Sequence, residues 1–361
     1  MDKPDLKDFT LPQLLDFVES LGLPAYRARQ IFSWLYRPGI SAFEQMTDIK
    51  KELRQLLAER AWFSRLEPAV VERSADGTIK YGFRLADGCL IESVLIPEED
   101  RRTLCVSSQV GCAMGCRFCL TGGMGFKRNL RPAEIVNQVG AVKEHILAEF
   151  GPETRLNNLV FMGMGEPLAN FDHLLVALEI LQEQRGHDFS DRRITVSTCG
   201  LVPKIRELGE KSRVNLAISL HSVNDELRSR LMPVNKIHPV AELLAAGRDF
   251  PLPKRKRIMF EYILLKDLND SPADARQLAA KLKGIRCKIN LLPFNETTAL
   301  PFNRPAPPRI EEFQKILREA GFTVLIRESR GADISAACGQ LAGSDPAAEP
   351  AVTPAARQIS A

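Results

Sequence analysis

From about residue 103 onward the chain repeats one pattern: a short apolar run suited to a buried strand, then a helical stretch. The runs cover 104–106, 159–162, 194–197, 214–220, 258–265, 287–292 and 323–326. Helical stretches, such as 132–150 and 171–184, lie between most of them. A strand covered on both faces reads as a continuous apolar run, and parallel neighbours need a crossover helix between them. The alternation therefore predicts a parallel α/β fold. Small and functional residues gather just after the strands, at 163–167, 197–200, 219–222 and 293–295. In an α/β barrel that edge carries the chemistry.

The flanks read differently. Residues 1–62 have apolar residues at helical spacing over 11–21 and 26–36, with a turn at Gly22, Leu23 and Pro24 between them and Pro38-Gly39 ending the second helix. A third segment, 49–61, carries Lys50, Lys51, Arg54 and Arg60. Short helices joined by a Gly-containing turn fit a helix-hairpin-helix nucleic-acid module, and fit a plain helical cap equally well. Residues 63–100 alternate and carry the turn signals Ala75-Asp76-Gly77 and Ala86-Asp87-Gly88, which predict a small antiparallel meander with strands near 81–85 and 89–96. The barrel itself is expected over 101–342. The tail from 343, rich in Ala and Pro, is expected to be disordered.

Composition narrows the class. The chain has 361 residues, 45% of them hydrophobic, which suits a proper core. The net charge of +4 permits a nucleic-acid partner without demanding one. Basic runs stand at Lys254-Arg255-Lys256-Arg257, at Lys127-Arg128 with Arg131, and at Arg101-Arg102; such runs are more often solvated faces than phosphate sites. No apolar run approaches the roughly 18 residues of a membrane span. The charged start, Met1-Asp2-Lys3-Pro4, argues against a signal peptide. A cytoplasmic, non-membrane, monomeric protein with reduced thiols is expected.

Three of the eight cysteines fall within eight residues, in Gly111-Cys112-Ala113-Met114-Gly115-Cys116-Arg117-Phe118-Cys119. Three thiolates on one tight loop can hold three irons of a 4Fe-4S cluster and leave the fourth open for a small molecule. An ordinary ferredoxin cluster uses four cysteines. A structural zinc site also needs four ligands, and no second cysteine pair follows here.

Further stretches complete a pattern: 91–97 (Ile91-Glu92-Ser93-Val94-Leu95-Ile96-Pro97), Cys105-Val106-Ser107-Ser108-Gln109, Gly163-Met164-Gly165-Glu166-Pro167, Ser219-Leu220-His221-Ser222, and Arg330-Gly331-Ala332-Asp333 running on to Ala337-Cys338-Gly339. With the cysteine loop, these make the chain resemble the radical S-adenosylmethionine (SAM) superfamily and, within it, the RlmN family of dual-specificity RNA adenine C2-methyltransferases. The likeness covers about 330 residues, from the N-terminus to Cys338. It implies a partial (β/α)6-type radical SAM barrel behind an N-terminal RNA-binding region. It also implies one 4Fe-4S cluster held by Cys112, Cys116 and Cys119, and two molecules of SAM per turnover.

The implied reaction methylates C2 of adenosine in 23S rRNA, at position 2503 of the peptidyl-transferase centre, and in tRNA at position 37. C2 lies between two ring nitrogens and is too electron-poor to attack the methyl of SAM, so a radical route is needed. The family mechanism is ping-pong. One SAM methylates Cys338; a second yields a 5′-deoxyadenosyl radical that takes a hydrogen from that methyl; the methylene radical adds to the base. Cys105 then releases the product by forming a disulfide with Cys338. Read without the family, either cysteine is an ordinary buried core residue. The resemblance assigns Glu92 as proton acceptor, where alternation alone gives a polar strand face. It assigns Gly165, Glu166, Ser197, Ser219, Leu220, His221 and Asn295 to SAM contacts, with Glu166 on the ammonium group. His221 alone reads as a satisfied structural histidine. Phe118 is expected beside the cluster.

Three other readings are open at this level. A Cfr-like enzyme uses the same parts to methylate adenine C8, generally with a different N-terminal region. A metal-stabilised, non-catalytic RNA-binding protein predicts zinc and no role for Cys105 or Cys338. A redox sensor predicts no SAM cleavage. An electron donor such as a flavodoxin system is expected as a partner of the enzyme.

Overall fold

The computed structural model describes residues 3–343, so the tail expected to be disordered lies, from residue 344, outside the described residues. One ten-stranded sheet organises the chain. Its first strands, β1 (Pro68–Arg73), β2 (Ile79–Arg84), β3 (Leu90–Glu98) and β4 (Arg101–Cys105), pair antiparallel. A separate hairpin, β5 (Gln109–Gly111) and β6 (Phe126–Asn129), follows. The sheet resumes with β7 (Asn158–Phe161), β8 (Ile194–Thr198), β9 (Asn215–Ser219), β10 (Ile258–Leu264), β11 (Cys287–Pro293) and β12 (Val324–Ile326), each parallel to its neighbour.

β4 is the joint. It pairs antiparallel with β3 on one edge, with Val94 opposite Cys105, and parallel with β7 on the other. The meander and the barrel are therefore one continuous sheet. A two-residue turn at 99–100 reverses β3 into β4, whereas the run from β4 to β7 is long enough to hold a crossover helix. Six crossovers lead from β4 through β7 to β12, which is the expected six-fold β/α pattern.

The helices divide into two groups. α1 (Leu11–Ser20), α2 (Tyr26–Leu35) and α3 (Lys51–Arg60) form the N-terminal part. α1 starts at a capping box, Thr10 with Gln13, and buries Leu14 and Val18. Burying such a side chain contributes about 1.5–3 kcal/mol. After the short α4 (Leu120–Gly123), α5 (Pro132–Phe150) covers the sheet. Then come α6 (Phe171–Gln182), α7 (Val202–Lys211), α8 (Asp225–Leu231), α9 (Val240–Asp249), α10 (Pro272–Leu282) and α11 (Pro307–Glu319).

The N-terminal part is bolted to α5 by polar contacts. Asp8 accepts from the Ala133 backbone N–H at 2.8 Å, inside the first turn of α5, where a carboxylate is favoured by the helix dipole. Lys7 donates to Asn137 at 2.9 Å, and Arg65 meets Glu144 at 2.8 Å. Among the described residues no helix is long and apolar enough to cross a membrane.

Candidate active site

The cysteine loop hangs from the β5–β6 hairpin. Gly111, with φ of +72°, ends β5; a Cβ there would meet the Gly125 carbonyl oxygen at 1.9 Å, so only glycine lets the hairpin close. Cys112 N–H donates to Gly125 at 2.9 Å, and Cys119 N–H donates to Cys116 at 3.2 Å. These bonds set Cys112, Cys116 and Cys119 on one wall of a cleft with about 960 Å³ of empty space, counting its open mouth.

Burial pushes all three thiols up, Cys112 to about 11, and each of Cys112 and Cys116 is pushed further by other thiols of the loop. Three such groups gathered without a cation resist ionisation; a positive metal cluster removes that cost. Among the described residues no three His, Cys, Asp or Glu side chains converge on a single metal ion. The donor set, soft and spread along one wall, suits an iron–sulfur cluster.

The strand ends supply the facing wall. Gly165 follows β7 with φ of +95°, and a Cβ there would lie 2.4 Å from Gln109 Cβ. Glu166 is buried; its Oε1 accepts from Leu168 N–H at 3.0 Å and its Oε2 from Cys199 N–H at 2.8 Å. Burial raises its pKa. Ser197 and Ser219 line the cleft from the ends of β8 and β9.

His221 also lines it, at φ of +58°. Its Nδ1 accepts from Ile263 N–H at 3.0 Å, and its ring meets Phe118 edge-on at 4.7 Å. Burial pulls its pKa down to about 3, so the ring is neutral at pH 7 with its proton on Nε2. The structural and the ligand readings of this histidine thus describe its two nitrogens.

Two of the sequence-predicted contacts stand elsewhere. Leu220 is fully buried in the main core and does not line the cleft. Asn295 is also off the wall; it donates to the Cys338 carbonyl at 3.5 Å and accepts from Ser329, so it steadies the loop that carries Cys338. Glu92 lies outside the cleft lining as well. Its Oε2 accepts from Ala342 and Gly343 N–H at 2.9 and 3.0 Å, and Lys80 stands 3.6 Å from its Oε1.

Cys338 lines the cleft and reaches solvent, while Cys105 is buried at the end of β4. The two are near enough for Cys338 to raise the pKa of Cys105, whose largest upward push is burial. The Cys338 segment is held on several sides. Asp333 accepts from Ser74 at 2.6 Å, Gly331 N–H donates to Asp76 at 2.9 Å, and Leu120 N–H donates to the Gly339 carbonyl at 2.7 Å.

Sequence reasoning missed four residues. Arg228 is fully buried; its guanidinium donates to the carbonyls of Leu220, Cys199 and Ser219 and to Asn235, stitching together the loops after β8 and β9. Cys199, Glu261 and Arg327 line the cleft too. An arginine on a short helix and a glutamate inside an apolar strand carry no sequence signal of this kind. Thr198-Cys199-Gly200, placed just after a strand, did carry one.

The comparisons with known proteins agree with this geometry. The model of the ribosomal RNA large subunit methyltransferase N-terminal domain matches residues 4–62, and that of the radical SAM superfamily matches 106–279. The chain is 57% identical to a dual-specificity RNA methyltransferase RlmN of Desulfotalea psychrophila, over 94% of this chain and 95% of that one. It is 53% identical to the RlmN of Geobacter sulfurreducens, over 96% and 94%. The crystal structure of a radical SAM methyltransferase from Sphaerobacter thermophilus superposes with a TM-score of 0.89 at 47% identity, covering 94% of this chain and all of that one. Radical SAM membership brings a 4Fe-4S cluster and SAM as cofactors. With relatives of this identity matched over more than nine tenths of both chains, the chain belongs to the RlmN family of radical SAM methyltransferases.

Proposed function

We propose that the protein methylates C2 of adenosine in RNA, at position 2503 of 23S rRNA and position 37 of tRNA, through an S-methylcysteine at Cys338. One observation carries this reading: the three loop thiols and Cys338 line a single cleft, with Cys105 buried close behind Cys338. When bound, the cluster supplies one electron to SAM and so the radical that a polar mechanism cannot make.

The chain's own residues do the rest. Cys112, Cys116 and Cys119 would hold the cluster through their thiolates, with no fourth cysteine on that loop. Glu166 has an acceptor lone pair left on each oxygen for the ammonium group of SAM, and its two backbone donors fix its direction. His221 offers Nε2–H from a rigid ring, and Ser197 and Ser219 offer hydroxyls to the ribose and methionine ends. Cys338 accepts the methyl as a thiolate nucleophile. Its methylene group joins C2 of the base. Glu92 takes the C2 proton once the backbone of 342–343 gives up its carboxylate. Cys105 then resolves the adduct.

Residues 1–62 supply RNA contacts in this reading, together with the basic run at 254–257. Lys256 and Arg257 in that run also have internal partners, Asp191 at 2.9 Å and Thr323 at 2.9 Å, which leaves Lys254 and Arg255 as the phosphate contacts. Charge reversal at Lys254 and Arg255 is expected to weaken RNA binding and to lower the slope of its salt dependence by about one for each phosphate ion pair removed. Equal binding at low and high salt rejects that assignment.

The reaction is tested anaerobically with SAM, a reductant of the flavodoxin class and an RNA fragment, read by mass spectrometry. Wild type is expected to give 2-methyladenosine, and Cys105→Ala an RNA–protein adduct. A methyl at C8 moves the chain to Cfr-like chemistry. Absence of both deoxyadenosine and methylation, from protein that holds its cluster, rejects the reading.

A further inference from the structure

A second cavity, which shares no residue with the cleft, opens where the N-terminal part meets α5. It has about 370 Å³ of empty space, counting its mouth. Lys7 before α1, Tyr36 and Arg37 just after α2, and His187 between α6 and β8 supply three of its sides. α5 supplies the remaining wall. Gly140 lies there three residues from Lys143, on the same face of the helix, and its missing side chain leaves the space open.

The walls hold donors that the chain does not use. Lys7 donates to Asn137 Oδ1 at 2.9 Å, and Lys143 to the His187 carbonyl at 3.0 Å. An ammonium group has three donors, so each lysine keeps spare ones. Among the described residues neither lysine is in an ion pair. The Tyr36 hydroxyl and both ring nitrogens of His187 are buried without a hydrogen-bond partner, and the two rings lie 5.0 Å apart. Native structures rarely leave several such groups together.

The acids around the cavity are engaged elsewhere. Glu144 lines it, but its Oε1 accepts from Gly39 N–H at 3.1 Å and its Oε2 from Arg65 at 2.8 Å. Asp5 accepts from the backbone N–H groups of Lys7 and Ser64 through Oδ1, and its Oδ2 stands 3.6 Å from Arg131. Lys7, Lys143 and Arg37 thus face one carboxylate, which Arg65 has already neutralised. Burial pulls both ammonium groups down to about 8, so their charges are held in a confined space at a cost that an anion would remove. Water would fill the space without supplying that charge. A phosphoryl group brings negative charge and acceptor oxygens in several directions, which suits cations placed on three separate segments.

We propose that this cavity is a phosphoryl-oxyanion site, with Lys7, Lys143 and Arg37 as its binding groups. The bound anion ties the N-terminal part to α5. Its source is either free inorganic phosphate or a phosphodiester of the RNA, since both present the same oxygens.

The test titrates the cluster-loaded full chain with inorganic phosphate, in chloride buffer at constant ionic strength, by calorimetry. Wild type is expected to show one saturable site. Lys143→Met is expected to bind about tenfold more weakly, the effect of losing one charge-assisted hydrogen bond. Arg37 is exposed, so Arg37→Gln leaves the fold alone and is expected to weaken binding about threefold, the effect of a partly solvated charge. Lys254→Gln, outside the cavity, is expected to bind as wild type does. Phosphate is also expected to raise the unfolding midpoint of wild type more than that of Lys143→Met. No saturable binding to wild type, or equal binding by wild type and Arg37→Gln, overturns the site even if Lys143→Met does not fold.

A second arm, which alone rests on the RNA reading above, separates the two sources. An RNA fragment that displaces phosphate, and whose salt dependence falls in slope by about one in Lys143→Met, marks a phosphodiester as the occupant. RNA and phosphate that bind independently mark a free ion.

Discussion

The two sides of the cleft are built in opposite ways. Cys112, Cys116 and Cys119 come from one loop of eight residues, closed at its base by a glycine that no other residue can replace. Glu166, Glu261, Arg327 and Cys338 come from the loop after β7, from β10, from the end of β12 and from a C-terminal loop, and only the tertiary structure brings them to one cleft. A ligand set carried by one loop depends on local backbone geometry. A wall assembled from four elements depends on every strand register between them, and can be tuned one residue at a time.

The largest expected effect separates the two sides outright. Cys116→Ser is expected to lose the bound iron, read as iron per chain and as loss of the visible cluster absorption. Cys338→Ala is expected to keep full iron and give no RNA methylation. Iron lost from Cys338→Ala would mean that the two sides are one site.

Next comes the stitching of the loops after β8 and β9, on which the assembled wall depends. Arg228→Met leaves the carbonyls of Leu220, Cys199 and Ser219 buried without their donor. A loss of about 3 kcal/mol is expected in denaturant unfolding, because each unsatisfied buried group costs about 1–3 kcal/mol. A change under about 1 kcal/mol would show that the strand-end loops hold themselves.

Gly165→Ala sharpens the contrast on a smaller scale. The new Cβ meets Gln109 at 2.4 Å in a left-handed backbone, so the loop must move. About 1–3 kcal/mol of destabilisation is expected, with SAM binding weakened and cluster content retained.

The smallest effect tests the outer clamp on the Cys338 segment. Asp76 accepts from the N–H groups of Gly331 and Thr78. Burial raises its pKa, but hydrogen bonds from Thr78, Gly331 and Ser74 outweigh that and hold it down at about 2. Because the folded pKa lies below the unfolded one of about 3.9, the contribution is present above pH 4 and is lost as pH falls from 4 to 2. The group is exposed, so less than about 1 kcal/mol is at stake. Comparing the acid unfolding of wild type and Asp76→Asn over that window measures it; identical curves would remove Asp76 from the clamp.

Much of the scaffold was legible. The apolar runs at 159–162, 194–197 and 258–265 fall on β7, β8 and β10, and the periodic stretches at 11–21 and 26–36 fall on α1 and α2. Legibility failed where one residue serves two neighbours. The run 104–106 marks β4, yet nothing in it says that the strand also closes the meander. In the site, Leu220 reads as a cleft residue because it stands between Ser219 and His221, but alternation at a strand end turns its side chain into the core. Asn295 and Glu92 sit in telling motifs, and their hydrogen bonds run to the C-terminal segment.

The sequence by itself determined the six β/α units, the cysteine loop and the positions of the strand-end loops. Period, spacing and glycine placement are local properties, and local backbone physics turns them into structure. Only the tertiary structure decided that Glu261, Arg327 and Cys338 line the same cleft as the cysteine loop, and that a buried Arg228 ties the loops after β8 and β9 together. Those relations join residues far apart in the chain, and they arise from the twist and closure of the sheet.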